Sequence, residues 1–197
     1  GRFLYGLKKK AEYALISLTG GQKDNAITRE CTAEFLTDSV AEVKAYAKEL
    51  QEQLREEYTG SDENITFEIT EKGTATAEVL HPTSQEKIVF YLQNVPFGIQ
   101  KMSGTIKGLV ETSSNIGILR LDRDELFASS SVRSSVDAAC SALSDKIEYL
   151  TEFLGGDYEV QGAYPAWEYR KESPLRDKMV AVFEEMYGHK PEVVAIH

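Results

Sequence analysis

Few residues of this 197-residue chain are of a type and spacing that could do chemistry. The histidines are His81, His189 and His197, and none stands in a His-x-x-x-His spacing. Cys31 and Cys140 form no Cys-x-x-Cys pair, so no zinc ligand set can be assembled from local spacing. His81 precedes a proline at a turn and His189 sits in a Gly-His-Lys-Pro loop, both settings of surface residues. The two cysteines fall on expected core faces with no neighbouring histidine, the setting of buried thiols rather than of a nucleophile. The chain has no G-x-S-x-G elbow, no phosphate-binding P-loop and no G-x-G-x-x-G turn. Asp and Glu number 32, too many for any pair to stand out as acid and base.

Two polar features remain. Arg133 ends the run Ala128-Ser-Ser-Ser-Val-Arg133, where small hydroxylated neighbours leave its guanidinium room to receive a carboxylate as a rigid fork. The same residue also reads as a surface arginine at a strand end. Asn25 follows Gly-Gly-Gln-Lys-Asp and could hydrogen-bond a ligand from a bend, although asparagine in a turn also serves the backbone alone. Composition, spacing and periodicity take the residues no further than an anion-reading surface.

Those residues need elements to hold them. Residues 2–10 read as the end of a helix, and Tyr13 to Thr19 as a strand broken by Gly20-Gly21. Cys31, Ala33 and Phe35 alternate with polar residues, the period of a half-buried strand. Ser39-Val-Ala-Glu42 has the form of a capping box opening a helix to about Tyr58, with Val43, Tyr46, Ala47, Leu50 and Leu54 on one face. Ile65, Phe67 and Ile69 alternate as a strand, which residues 74–80 could join in a hairpin around Lys72-Gly73. Thr83-Ser-Gln-Glu86 predicts a second capped helix to about Leu92, and residues 95–107 carry no period.

Leu109 to Leu121 is extended, Asp122-Arg-Asp124 turns the chain, and Glu125 to Arg133 returns. A helix over about 136–154 follows, stopped by Gly155-Gly156. Tyr158 to Gly162 reads as a short strand, Pro174 opens a helix to Tyr187, and Val193 to Ile196 is a last apolar strand. An Asn near an extended segment, a returning strand, a Ser-Val helix start and an amphipathic helix occur twice: at Asn25 with Ser39-Val40, and at Asn115 with Ser135-Val136. The expected fold class is therefore α+β: an antiparallel sheet with helices on one face, built from two related strand-strand-helix units.

Bulk composition narrows the function classes. With 42% hydrophobic and 27% charged residues the chain is of ordinary globular make-up. A formal net charge of -10 argues against nucleic acid, whose phosphates need clustered cations, and Lys8-Lys9-Lys10 reads as a solvated helix end. No apolar run has the length of a membrane span, and the opening residues do not form a signal peptide. A cytoplasmic location, without membrane or nucleic-acid partners, is the expectation. The absence of an initiator methionine suggests a start inside a longer protein.

Four stretches together resemble the aminoacyl-histidine dipeptidases (Xaa-His dipeptidase, peptidase D), a family of co-catalytic zinc peptidases. They are Gly20-Gly-Gln-Lys-Asp-Asn-Ala-Ile-Thr-Arg-Glu30, Gly108-Leu-Val-Glu-Thr-Ser-Ser-Asn-Ile-Gly117, Val132-Arg-Ser-Ser-Val-Asp137, and Gln161-Gly-Ala-Tyr-Pro-Ala-Trp167 followed by Ser173-Pro174. They occur in the family's order and cover most of the chain, while residues 60–105 match poorly.

The resemblance implies a catalytic domain holding two zinc ions and an inserted, ferredoxin-like lid. Residues 1–162 would be the lid/dimerisation domain without its first strand, and residues 163–197 a partial re-entry into the catalytic domain. The zinc ligands would lie outside this chain, and His197, at the start of a motif whose remainder is absent, is not taken as one. The metals would activate a bridging water and polarise the scissile carbonyl. The lid would close on a dipeptide substrate and read its free carboxylate, and on its own it would be inactive. Arg133 matches the family's carboxylate-binding arginine. Asn25 matches an asparagine that contacts the substrate or its developing oxyanion, and Asn115 holds the corresponding place in the second repeat. Thr28 replaces a proline of that pattern. Implied partners are the dipeptide, the chain's own catalytic domain and, as in related lids, a second copy in a homodimer. The competing expectation is a stand-alone regulatory or interaction module of ferredoxin-like fold.

Overall fold

Alternation in two central strands decides which side of the sheet is covered. The computed structural model describes residues 1–122, 125–170 and 172–194. Strand β1 (Ala14–Gly20) turns Leu15 and Leu18 inward, at 0% and 3% exposure, and β4 (Val110–Asp122) turns Leu119 and Leu121 the same way. They meet Leu4 of α1 (Arg2–Leu7) and Ile88 and Val89 of α3 (Pro82–Asn94) in one apolar cluster. Val43 of α2 (Val40–Glu57) packs with Leu7 and Ala11 beneath Phe35 of β2 (Cys31–Leu36). Ile147 of α4 (Asp137–Phe153) packs with Tyr91 and Val95 against Leu126, Ala128 and Val132 of β5 (Glu125–Ser134). Helices α1–α4 thus cover one face of the sheet, and no described helix packs on the other.

The sheet is antiparallel in each pairing, with β1 between β2 and β4 and with β5 along the far side of β4. Each half runs strand, strand, helix: β1-β2-α2 and β4-β5-α4. The expected duplicated α+β architecture is therefore present. Asn25 lies beside a strand, in the β1–β2 connection, and Asn115 lies inside β4. The last helix, α5 (Pro174–Tyr187), has none of its residues buried.

Several local expectations give way to competing partners. Residues 64–80 form no strand: the amide of Phe67 donates to Gln51 Oε1 at 2.8 Å, and Arg55 Nε donates to the Ile65 carbonyl at 2.7 Å. Side chains of α2 take the backbone groups a hairpin would have paired, and the alternation serves to seat Phe67 on Phe3, ring centroids 5.3 Å apart. Helix α3 begins before its expected box, with Pro82 in its first turn and His81 Nδ1 accepting from the Thr83 amide at 3.2 Å. Gln85 and Glu86 are drawn into longer-range contacts with Leu15 and Lys8.

Ser39 caps α2 by position but makes no side-chain cap bond; its own amide donates to Thr37 Oγ1. The segment without a period contains a strand, β3 (Gly98–Met102), paired with residues 110–114 of β4. Residues 158–162 form no strand, and Tyr158 instead shares a hydrogen bond with Ser144 at 2.7 Å. Cys31 is exposed and Cys140 half-buried, so neither is the buried thiol expected. The turn at residues 123–124 and His197 lie outside the described residues, as does part of the last expected strand.

Candidate functional site

The open face of the sheet is built from residues that alternate with the core. Along β5 these are Phe127, Ser129, Ser131 and Arg133, and along β4 they are Ser113, Asn115, Ile118 and Arg120. In the β4–β5 ladder Ser113 stands opposite Arg133, Asn115 opposite Ser131, Ile118 opposite Ser129 and Arg120 opposite Phe127. Small hydroxylated residues dominate one end of this surface, so the guanidinium of Arg133 stands clear of bulky neighbours. At the other end Arg120 lies over the Phe127 ring, 5.5 Å from its centroid. Arg133 is exposed, and its guanidinium makes no hydrogen bond or ion pair with any described residue.

Asn115 and Arg133 are diagonal neighbours on that face, a relation that sets backbone positions about 7–8 Å apart. Asn115 Nδ2 donates to the Ala26 carbonyl at 2.7 Å. That bond ties the β1–β2 connection, which carries Asn25, to the open face across β4 from Arg133. Asn25 is exposed, and its amide donates to Asp24 Oδ1 at 2.8 Å, a tight local bend. Arg133 and Asn115 thus share one face, and the connection carrying Asn25 is bonded to it through Ala26.

The connection reaches this place through a gap. Strand β1 pairs with residues 119–121 of β4, and β3 with residues 110–114 on the same side. Residues 115–118 lack a strand neighbour there, and residues 21–30 occupy the space. Thr28 Oγ1 donates to the Ile116 carbonyl at 2.7 Å. A Cβ on Gly117 would lie 2.2 Å from the Lys23 carbonyl oxygen, and one on Gly21, whose φ is +69°, would lie 1.9 Å from the Gly117 oxygen. Sequence reasoning missed this seat. Its only signal was a glycine in mid-strand, Gly117, a mark of close backbone approach.

The residues could bind a compact anion bearing a neighbouring polar group: a fork-shaped cation, two carboxamides and several hydroxyls on a shallow surface. Among the described residues no group of three or more His, Cys, Asp or Glu could hold a metal ion. No described helix is long and apolar enough to cross a membrane.

No family model matches the chain. It is 26% identical over 198 residues to the cytosol non-specific dipeptidase of Escherichia coli (strain K12), covering 100% of this chain and 41% of the relative. The crystal structure of aminoacylhistidine dipeptidase from Vibrio alginolyticus superposes with a TM-score of 0.84 at 28% identity, covering 100% of this chain and 40% of that one. The chain therefore spans about two fifths of the length of the relatives it matches. The resemblance to the aminoacyl-histidine dipeptidases, read first from four short stretches, holds in both sequence and fold along the whole of this chain.

Proposed function

We propose that this chain is the substrate-gripping lid of a cytoplasmic zinc-dependent dipeptidase that hydrolyses Xaa-His and related dipeptides, inactive without the rest of the enzyme. The observation that carries this reading is Arg133: a guanidinium with no partner among the described residues, on an open, hydroxyl-lined sheet face diagonal to the Asn115 carboxamide. A free C-terminal carboxylate complements that fork, and its charge-assisted bonds strengthen as closure excludes water. Asn25 would meet the peptide carbonyl from its bend. Asn115 contributes its remaining carboxamide oxygen to the same surface, its amide being committed to Ala26. In this reading the metal centre belongs to the rest of the enzyme.

Residues 1–162 constitute the lid/dimerisation domain in this reading, and residues 163–197 belong with the catalytic domain. The exposed apolar side of α5, including Leu175 at 68%, Met179 at 64% and Met186 at 69%, supports that division. The complete enzyme should hydrolyse unblocked Xaa-His dipeptides and strongly disfavour their C-terminal amides. Equal kcat/KM for acid and amide would overturn the carboxylate-reading role.

A further inference from the structure

We infer that Thr28 is a positioning residue, whose hydroxyl bond to β4 aims Asn25 at the substrate. The inference rests on the lid reading above and concerns how its Asn25 contact is made. Asn25 lies three residues before Thr28, in an exposed connection that has little packing of its own. A flexible ten-residue span would present a carboxamide in many directions, and ordering it has an entropic cost.

Two bonds bracket Asn25 and limit that freedom. On one side Asp24 Oδ1 accepts from the Asn25 amide, and on the other Asn115 holds the Ala26 carbonyl. Thr28 then closes the bend by donating to the Ile116 carbonyl at 2.7 Å. That carbonyl lies in the stretch of β4 without a strand neighbour on this side, so the hydroxyl does there what a neighbouring strand's amide does elsewhere. The backbone approach at Gly117 makes the seat tight: the loop cannot lift by much without losing the Thr28 bond, nor press closer without a clash.

The hydroxyl of Thr28 is committed to the Ile116 carbonyl, so its effect on substrate passes through the loop. Thr28→Val keeps the side-chain shape and removes the donor. In the complete enzyme, assayed on an unblocked Xaa-His dipeptide, it should lower kcat/KM by about ten-fold, equivalent to ~1.4 kcal/mol. Thr28→Ser should restore most of the loss. The deciding measurement is the double variant Thr28→Val/Asn25→Ala, which should be no slower than Asn25→Ala alone, because a mis-aimed side chain that is already absent cannot be lost again.

Additive losses in the double variant, or wild-type kinetics for Thr28→Val while Asn25→Ala is impaired, would overturn the positioning role and leave the lid reading standing. Wild-type kinetics for Asn25→Ala itself would overturn both the positioning role and the Asn25 contact. Should Thr28→Val not fold, Thr28→Ala supplies the same cycle with Asn25→Ala, since it too removes the donor to the Ile116 carbonyl.

Discussion

Replacing Arg133 by alanine separates binding from folding more cleanly than any other change in this chain. The guanidinium has no partner among the described residues, and the side chain is exposed on the open face. Its loss should therefore change stability by no more than about 0.5 kcal/mol, the range of ordinary surface substitutions. Binding is another matter. Two parallel charge-assisted bonds to a carboxylate, made in a closed site, should contribute about 2–3 kcal/mol. That range corresponds to a rise in KM of roughly 30- to 150-fold for unblocked dipeptides. The chain's formal net charge of -10 does not help an anion approach, but beyond about 8 Å its field is screened at physiological salt. The local fork should therefore dominate. Steady-state kinetics on a dipeptide and on its C-terminal amide, with a denaturant titration alongside, give the answer. Arg133→Ala should weaken the acid alone, and Arg133→Lys should recover part of the loss because the charge remains while the fork does not. An unchanged KM for the acid, or an equal rise for acid and amide, would refute the argument.

Leu15 is fully buried at the centre of the sheet, so Leu15→Ala should destabilise the fold by about 2–5 kcal/mol, read from the urea midpoint. Gly21→Ala should cost several kcal/mol in the same measurement, because a Cβ there meets the Gly117 oxygen at 1.9 Å and the backbone has a φ of +69°; wild-type stability would show that the seat has slack. Burial, with a smaller contribution from Glu86, pushes the Tyr13 hydroxyl from 10.0 up to about 12. Because the unfolded chain gives up this proton first, the stabilisation is complete below pH 10 and is lost as pH rises towards about 12. Tyr13→Phe should therefore flatten the alkaline fall in stability, and an unaltered slope would place the sensitive group elsewhere. His81→Ala removes the acceptor that caps α3 and should cost about 1 kcal/mol in thermal unfolding.

What could be read from the sequence depended on how local its cause was. Amphipathic spacing in α2 marks the buried residues Val43, Ala47 and Leu50, because a helix face is set by its own period. Ile65 and Phe67 misled for the opposite reason. Their alternation is compatible with any extended segment, and only the placement of Gln51 and Arg55 decides that the partner is a helix rather than a strand. Strand β3 has no alternation to find, since four of its five residues are exposed and its pairing with β4 is irregular.

The open surface shows the same division. The rigid fork and hydroxyl neighbours of Arg133 are visible in a single run of residues. The proximity of Asn25, which stands far away in the chain, arises from the Asn115 and Thr28 bonds and from a glycine whose purpose is evident only once the loop lies across it.

That crossing has a consequence for how the duplicated architecture can change. The connection that carries Asn25 belongs to the first strand-strand-helix unit, yet Asn115, Ile116 and Gly117, which receive it on β4, belong to the second. The halves are therefore not interchangeable modules: a substitution in either alters the presentation of a side chain owned by the other. If the chain were cut within residues 59–64 and the pieces recombined, recovery of secondary structure would precede recovery of the surface. The two would coincide only after the loop of one piece had threaded back into the notch of its complement.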